Sequence, residues 1–240
     1  TTTVSETYAG EIQMPYYGEG LDGLLRARNH ELCGILNGID YEVYDPVKDE
    51  SLYQNYSARN FRSEKIKNKR GLQKQLGLEV NDKKFMIGII SRLTDQKGLD
   101  LIDWVMSGIC DQNVQLVVVG TGEPQYENMF KHYQWIMPER VSANIFYSDD
   151  LAHKLYAAAD ALLMPSRFEP CGLAQLMALR YGTVPIVRET GGLKDTVQPY
   201  NEYEKTGTGF TFANYNADEM LYVINYAKRI YFEHKREWNQ

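Results

Sequence analysis

The sequence of 240 residues lacks several features that would assign it to other classes of protein. It has only three cysteines, widely spaced and without metal-ligand spacing, which argues against a disulfide framework or a zinc site and favours a reduced, cytosolic setting. No apolar run approaches the roughly 20 residues of a membrane-spanning helix, and no signal peptide is visible. There is no P-loop and no Asp-x-Asp pair to hold a divalent ion against a diphosphate, so we expect no cofactor and no metal requirement.

The composition is ordinary for a globular domain, with 43% hydrophobic and 24% charged residues. A net charge of −6 argues against a nucleic-acid-binding protein, which normally has a basic domain. It does not argue against a small anionic ligand, because local hydrogen-bond donors matter more than total charge. The chain begins without methionine and stops within a helical pattern, so we expect it to be part of a longer protein.

From residue 85 onward, apolar runs typical of buried strands alternate with helical periodicity. The expected strands are 85–90, 114–119, 144–147, 161–164, 183–187 and 209–212. The expected helices are 98–110, 124–135, 150–158, one opened by Cys171, 191–197, and one from about 217 that Asn216 caps. This alternation predicts an α/β fold with a parallel sheet and right-handed crossovers. Ligands of such sheets bind at the carboxyl ends of the strands.

Two local features add to this pattern. Pro185 within a strand indicates a position near a sheet edge or a strand end. The first 80 residues are less regular: the pattern allows a strand at 2–5, a helix at 21–28, a long surface segment at 40–60 and a basic helix at 62–75 whose charges are expected to face solvent.

The most informative segment is 165–173, PSRFEPCGL, which follows a predicted strand and precedes a predicted helix. The N–H groups of Cys171, Gly172 and Leu173 are expected to open that helix and offer an anion site. A carboxylate beside an anion repels it, so Glu169 fits better as an acceptor from hydroxyl groups. Phosphate and hydroxyls together indicate a nucleotide sugar. Alternatively, Glu169 stabilises its helix dipole, with Arg167 as an ion-pair partner.

Further candidates follow other strands. Arg92 and Lys97 are expected on the loop after strand 85–90, where they can neutralise a diphosphate, although solvated surface cations are the simpler alternative. Gly120 and Thr121 begin a turn that lets backbone approach a ligand, or form a plain tight turn. Tyr147 is expected to end a strand, where it can stack on a base or merely pack. His153 is a candidate for a sugar hydroxyl or phosphate, or a structural residue.

With these residues laid out, the sequence resembles the donor-binding half of bacterial and plant glycogen and starch synthases. Five segments carry the resemblance: 3–9 (TVSETYA), 34–40 (GILNGID), 91–99 (SRLTDQKGL), 165–173 and 190–197 (TGGLKDTV). The resemblance implies the C-terminal half of a two-domain GT-B fold, with Rossmann-like doubly wound sheets facing across a cleft. Residues 1–35 would then be the tail of the missing N-terminal acceptor domain and a linker, and residues 36–240 the donor-binding domain.

The family transfers glucose from ADP-glucose to the non-reducing end of an α-1,4-glucan with retention of configuration. By resemblance, Arg92 and Lys97 hold the diphosphate and stabilise its departure, and Glu169 binds glucose hydroxyls. No carboxylate is placed as a nucleophile, so we expect front-face substitution in which the leaving phosphate helps to deprotonate the acceptor. The resemblance also gives Gly172 and Leu173 main-chain contacts to the donor.

Three further expectations come from the same resemblance. Tyr147 falls at the adenine-stacking position, and Asn37 and Asp40 lie in a hinge motif that lines the cleft. Met177 stands where related transferases often carry a second glutamate. The other domain, with its Lys-x-Gly-Gly motif and acceptor-binding residues, is missing, so we expect the chain alone to bind ADP weakly and to show negligible activity.

Alternatives remain open at this stage. The first alternative is a retaining transferase that uses UDP-glucose, which would differ from an ADP-glucose enzyme in the pocket for the base. A non-catalytic carbohydrate- or nucleotide-binding module would not need Arg92, Lys97 and Glu169 together. The expected partners are ADP-glucose or ADP, the glucan and the missing domain, with no nucleic acid and no membrane. We expect a cytoplasmic location in a bacterium, or a plastid in a plant.

Overall fold

A computed structural model describes residues 1–240. Strands β1 and β2 form a small sheet, and six others form the main one. The strands are β1 Thr2–Thr3, β2 Cys33–Gly34, β3 Phe85–Ile90, β4 Val114–Val119, β5 Val141–Asn144, β6 Ala161–Met164, β7 Val184–Arg188 and β8 Phe210–Phe212. The helices are α1 Glu6–Glu11, α2 Asp22–Ala27, α3 Phe61–Leu76, α4 Leu99–Ile109, α5 Pro124–Ile136, α6 Asp149–Ala158, α7 Ala174–Arg180, α8 Gly191–Thr196, α9 Ala217–Glu233 and α10 Lys235–Trp238.

The main sheet is parallel throughout, in the order β5-β4-β3-β6-β7-β8. The chain moves outward from β3 to β5, then returns to the middle at β6 and moves outward the other way. The loops after β3 and β6 therefore leave neighbouring strands at the point where the strand order reverses, which is where open α/β sheets bind their ligands. The predicted α/β class with a doubly wound parallel sheet is confirmed.

Alternation along the strands divides the core between the two faces of the sheet. Phe85, Ile87 and Ile89 of β3 pack into a cluster of 29 buried residues with α4 and α9. Met86, on the opposite face, packs in a smaller cluster with residues of α3 and α6, including Leu72. Burial on both faces explains why the strands read as continuous apolar runs rather than alternating ones.

Several sequence expectations need correction at element ends. The strand predicted at 144–147 is β5, which ends at Asn144, because its ladder with β4 ends where Val119 pairs with Asn144. Tyr147 therefore lies in the loop beyond the strand. Gly172 has φ +68°, outside the helical region, so α7 begins at Ala174 rather than at Cys171. Asn216 caps α9 as predicted, by accepting from the Glu219 N–H.

Pro185 occupies an internal strand but avoids a lost hydrogen bond. It pairs with Leu162 of β6 on one side, while the ladder to β8 starts only at Ile186. The strand-end explanation therefore holds, and the missing N–H falls where β8 has not yet begun.

The basic helix α3 does not simply present its charges to solvent. Lys69 is buried and forms an ion pair with Asp160 just before β6. Lys65 Nζ donates to the carbonyls of Ala157 (2.9 Å) and Tyr181 (3.1 Å) at the ends of α6 and α7. These contacts are with distant parts of the chain, so helical periodicity alone could not reveal them.

The segment 1–35 packs against the main domain. Helix α1 lies on α8, and the Ser5 hydroxyl, which also caps α1, donates to the Pro170 carbonyl. Gly34 allows close approach, since a Cβ there would lie 2.1 Å from the Ser5 carbonyl. The domain boundary at residue 35 stays a prediction. None of the helices combines the length and the apolar character needed to span a bilayer.

Candidate nucleotide-sugar site

The loop after β3 is pressed against the loop after β6 at the carboxyl edge of the sheet. Residues Asp95–Lys97 form a single 3-10 turn that ends at Gly98, whose φ is +72°. A Cβ on Gly98 would lie 2.0 Å from the Pro165 carbonyl oxygen, so only glycine permits this approach. The Arg167 N–H donates to the Gln96 carbonyl (2.9 Å) and joins the two loops.

Glu169 and Lys97 meet across these loops. Lys97 Nζ lies 2.6 Å from Glu169 Oε2, and the side chains are only 15% and 10% exposed. The Ser166 hydroxyl donates to the same carboxylate oxygen at 3.1 Å. Arg167 is not the partner of Glu169; its guanidinium lies instead beside Asp95 at 3.4 Å. The two loops thus bring one positive and one negative side chain together, and both side chains are largely shielded from solvent.

The turn at 171–173 supplies main-chain donors. The N–H groups of Cys171, Gly172 and Leu173 make no hydrogen bond to any protein oxygen. Gln175 holds the turn from behind, since its Nε2 donates to the carbonyls of Cys171 and Gly172, both at 3.0 Å. Cys171 as a whole is buried, whereas Gly172 is partly exposed and Leu173 is exposed, so the role of the Cys171 N–H in anion binding stays a prediction.

Two cavities share a wall at this edge of the sheet. The first, which we call the Glu169 cavity, has a volume of about 320 Å³ and contains the ion pair. Its polar and turn residues include Ser91, Arg92, Lys97, Ser166, Glu169, Gly172 and Leu173. The second, the Tyr147 cavity, has a volume of about 260 Å³ and is lined by Gly120, Thr121, Tyr147, His153 and Met177, among others.

Arg92 belongs to both cavities, as do Ile90 and Ser91. The Arg92 side chain is exposed and forms no ion pair, so its guanidinium is available to an anion. The Ser91 hydroxyl is buried and has no hydrogen-bond partner. A ligand that spans both cavities must pass Arg92.

Tyr147 stands almost free at the mouth of its cavity. Its side chain is 83% exposed, and its hydroxyl donates to Asp149 Oδ1 at 2.6 Å. The bond to Asp149 raises the pKa of Tyr147 above its ordinary value. An exposed aromatic ring held by its tip offers a face for stacking. Gly120, with φ +153°, and Thr121 form a turn that lines the same cavity.

Asp49 and Tyr44 were not predicted as site residues, because they lie in the segment expected to be on the surface. Asp49 is buried, with Oδ2 2.6 Å from His153 Nδ1, and the Tyr44 ring stacks on His153 with centroids 4.9 Å apart. The Tyr181 hydroxyl also donates to Asp49. No local pattern marks such a contact, because its partners are distant in the chain: His153 lies on α6, and Tyr181 directly follows α7.

Asn37 and Asp40 are not brought into either cavity. Both are exposed, and Asp40 Oδ1 accepts from the Glu42 N–H at 2.8 Å, which closes a local turn. Neither residue is among those that line the Glu169 cavity or the Tyr147 cavity. Their assignment to a cleft between domains stays a prediction.

Helix α1 supports the Glu169 loop from behind. Glu11 Oε1 accepts from the Thr190 hydroxyl (2.9 Å) and the Gly191 N–H (3.1 Å) at the start of α8. The Gly192 N–H then donates to the Glu169 carbonyl at 3.0 Å. A Cβ on Gly191 would lie 2.0 Å from that carbonyl oxygen, so this approach also needs glycine.

Two other features are distinct from this site. A larger cavity of about 740 Å³ includes Val184, Phe210 and Trp238, at the amino ends of β7 and β8, the edge opposite to that used by ligands of parallel sheets. No group of three or more His, Cys, Asp or Glu side chains is arranged to hold a metal ion.

Two family models match the chain. The model "Glycosyl transferases group 1" matches residues 73–240, and "Starch synthase catalytic domain" matches residues 1–27. The fold and the site thus define a glycosyltransferase, and the chain belongs to the group 1 family.

Its curated relatives narrow the family further. The chain is 67% identical to a glycogen synthase of Lachnospira eligens, over 100% of this chain and 50% of that protein. It is 54% identical to a glycogen synthase of Clostridium acetobutylicum, with the same coverage. The resemblance to glycogen synthases that the motifs indicated is confirmed. The chain spans about half the length of these relatives.

Solved structures agree with this assignment. The catalytic domain of starch synthase IV from Arabidopsis thaliana, bound to ADP and acarbose, superposes with a TM-score of 0.92 at 34% identity, covering 99% of this chain and 50% of that one. A sucrose-phosphate synthase from Thermosynechococcus elongatus superposes with a TM-score of 0.62 at 19% identity, covering 100% and 51%, and shares the fold alone. The Rossmann-like GT-B fold is confirmed.

Proposed function

We propose that this chain is the donor-binding half of a retaining glucosyltransferase that transfers glucose from ADP-glucose to the non-reducing end of an α-1,4-glucan. The observation that carries the proposal is that Arg92 lies in the wall between a cavity holding Lys97 and Glu169 and a cavity holding Tyr147. A nucleotide sugar has the matching order of parts: base, diphosphate and sugar. The Arabidopsis relative was solved with ADP and acarbose, which supports a nucleotide and a glucan as ligands.

The roles follow from charge and geometry. Adenine stacks on Tyr147, the diphosphate meets Arg92, Lys97 and the free N–H groups of Gly172 and Leu173, and glucose hydroxyls donate to Glu169. Breaking the glycosyl–phosphate bond builds negative charge on the phosphate, so fixed cations and N–H groups stabilise the transition state more than the ground state. The departing phosphate then accepts the acceptor's proton on the same face of the sugar. These donors supply the neutralisation that a metal provides elsewhere, so we propose a metal-independent reaction.

Catalysis needs the acceptor held against the donor with water excluded, which is the expected task of a second domain facing this one across a cleft. We therefore propose that the chain alone binds nucleotide without extending glucan. The proposed setting is the bacterial cytoplasm, or a plastid in a plant.

Calorimetric titration with ADP, UDP and ADP-glucose tests the proposal. ADP and ADP-glucose are expected to bind more tightly than UDP, with the same affinity in EDTA as in Mg²⁺. Tighter binding of UDP than of ADP would mean that the donor is a UDP-sugar and not ADP-glucose. Absence of binding to all three at millimolar concentration would overturn the proposed function.

A further inference from the structure

His153 is a side chain of the Tyr147 cavity to which the proposed function gives no role. It lies on α6 and lines the cavity together with Arg92, Tyr147 and Tyr44. Its side chain is 12% exposed, so the ring is held in the wall rather than free in solvent. The contribution of this ring to ligand binding depends on which of its two nitrogens is not already bonded to the protein.

Asp49 answers it. A carboxylate only accepts hydrogen bonds, so the nitrogen beside it, Nδ1 at 2.6 Å, must carry the hydrogen. Asp49 is itself fixed, because its Oδ1 accepts from the Ser51 N–H at 2.9 Å and its Oδ2 from the Tyr181 hydroxyl. With its hydrogen held on Nδ1, the neutral tautomer of this ring has Nε2 as its acceptor, and no protein group makes a hydrogen bond to Nε2. His153 Nε2 therefore lacks a hydrogen-bond donor in the protein.

The nucleotide offers such a donor in one place. Phosphate oxygens at neutral pH only accept hydrogen bonds, whereas ribose hydroxyls can donate. The ribose joins the base to the diphosphate, and His153 shares its cavity with Tyr147, the proposed base platform, and Arg92, the proposed phosphate ligand. Resting on the proposed function, we propose that His153 Nε2 accepts a hydrogen bond from a ribose hydroxyl of the bound nucleotide, with Asp49 as a positioning residue that fixes the tautomer.

A thermodynamic cycle tests this contact by removing the His153 imidazole, a ribose hydroxyl, or both. Affinities of ADP, 2′-deoxy-ADP and 3′-deoxy-ADP are measured with the unchanged protein and with His153→Phe, which keeps an aromatic ring against Tyr44. With the unchanged protein, one deoxy nucleotide is expected to bind about 5- to 10-fold more weakly than ADP, the value of one hydrogen bond. With His153→Phe, that difference is expected to vanish. An unchanged ratio of ADP to deoxy-ADP affinity would overturn the contact.

Asp49→Asn provides a readout that a merely structural role would not move. The asparagine amide can donate to Nδ1, which would leave the hydrogen on Nε2 and remove the acceptor. Asp49→Asn is therefore expected to abolish the same deoxy discrimination as His153→Phe. The matched control is His132→Phe on the exposed face of α5, where discrimination is expected to stay unchanged.

Nuclear magnetic resonance of the unchanged protein keeps the proposal testable if a variant fails to fold. The ¹⁵N resonances of His153 are expected to show hydrogen on Nδ1, and the Nε2 resonance to move when ADP saturates the site. The His132 resonances are expected to stay still. An Nε2 resonance that is the same with and without saturating ADP would reject the contact.

The outcomes separate this inference from the proposed function. Binding of ADP without any coupling between His153 and a ribose hydroxyl would overturn the role of His153 and leave the function standing. A loss in His153→Phe that is equal for ADP and both deoxy nucleotides but absent for adenosine would place a phosphate at Nε2 and refute the ribose assignment. Failure of the unchanged protein to bind ADP would overturn both.

Discussion

Lys97 Nζ and Glu169 Oε2 lie 2.6 Å apart although the two residues are 72 positions apart in the chain. The contact joins the loop after β3 to the loop after β6, and each loop contributes one charge to the Glu169 cavity. Under the proposed function, a diphosphate entering the cavity would compete with Glu169 for Lys97, while a sugar would offer Glu169 replacement hydroxyls. The first two predictions below test each half of this pair separately.

Replacing Lys97 by Ala is expected to weaken ADP binding by about 10- to 100-fold, because a hydrogen bond to a charged group contributes about 1.5–3 kcal/mol. Calorimetry with ADP measures the loss. Lys74→Ala, on an exposed position of α3, is the matched control and is expected to bind like the unchanged protein. Equal affinities for the Lys97 and Lys74 variants would show that Lys97 does not contact the phosphates.

Replacing Glu169 by Gln is expected to separate the sugar from the nucleotide. ADP affinity should stay the same or rise, because the variant removes a negative charge beside the diphosphate. The advantage of ADP-glucose over ADP should shrink, because a neutral amide accepts hydroxyl hydrogen bonds less strongly than a carboxylate. The ratio of the two affinities is the measurement, with exposed Glu139→Gln as control. An unchanged ratio would remove Glu169 from the sugar site.

Ser5→Ala is expected to lower the free energy of unfolding by about 1–2 kcal/mol, as it removes a helix cap and a second hydrogen bond. The lost contacts are the acceptance from the Tyr8 N–H (3.2 Å) and the donation to the Pro170 carbonyl. Urea titration measures the change as a shifted midpoint. Ser107→Ala, exposed in α4, should cause no loss, and equal midpoints for both variants would mean that α1 does not brace the Glu169 loop.

Stability is expected to rise with pH between about 7 and 10 through Lys65. Desolvation lowers the pKa of Lys65 from 10.5 to about 7. In this window the unfolded chain binds the proton and the folded chain does not, so raising the pH favours folding. Burial lowers the pKa of Lys235 to about 8, which adds a slope of the same sign.

Above about pH 10 the free energy of unfolding is expected to fall again. Burial raises the pKa of several tyrosines, that of Tyr53 to about 12, so the unfolded chain loses these protons at a lower pH than the folded chain does. Denaturant titrations at several pH values should therefore give a rising slope that Lys65→Met reduces and Lys74→Met leaves intact. A slope between pH 7 and 10 that is identical in both variants would contradict the assignment to Lys65.

Thiol chemistry should distinguish the three cysteines. Cys33 is exposed, whereas Cys110 and Cys171 are buried, and desolvation raises the pKa of Cys110 to about 12. Because the thiolate is the reactive form, a disulfide reagent at pH 8 is expected to modify one thiol quickly and the other two only after unfolding. Cys33→Ser should abolish the fast phase. A fast phase that persists in this variant would mean that a buried thiol is reached in the folded protein.

The strands at 85–90 and 114–119 were predicted correctly because both are buried on two faces, and an apolar run then records the element directly. The strand at 141–144 was predicted three residues too late, at 144–147, because Ser142 interrupts its apolar pattern and Ile145 and Phe146 extend it; the ladder with β4, not local composition, sets its bounds. Burial of Lys65 and Lys69 was missed for the same reason, since their partners lie on distant elements.

The sequence by itself determined that Arg92, Lys97 and Glu169 follow buried strands, since local apolar runs and turn residues locate strand ends along the chain. Only the tertiary structure decided which of them meet. The order of strands places β3 beside β6, so Lys97 pairs with Glu169 rather than Arg167 with Glu169, and it brings Asp49 to His153. Local pattern fixes an element's position in the chain, whereas neighbours across the sheet are chosen by packing over the whole chain.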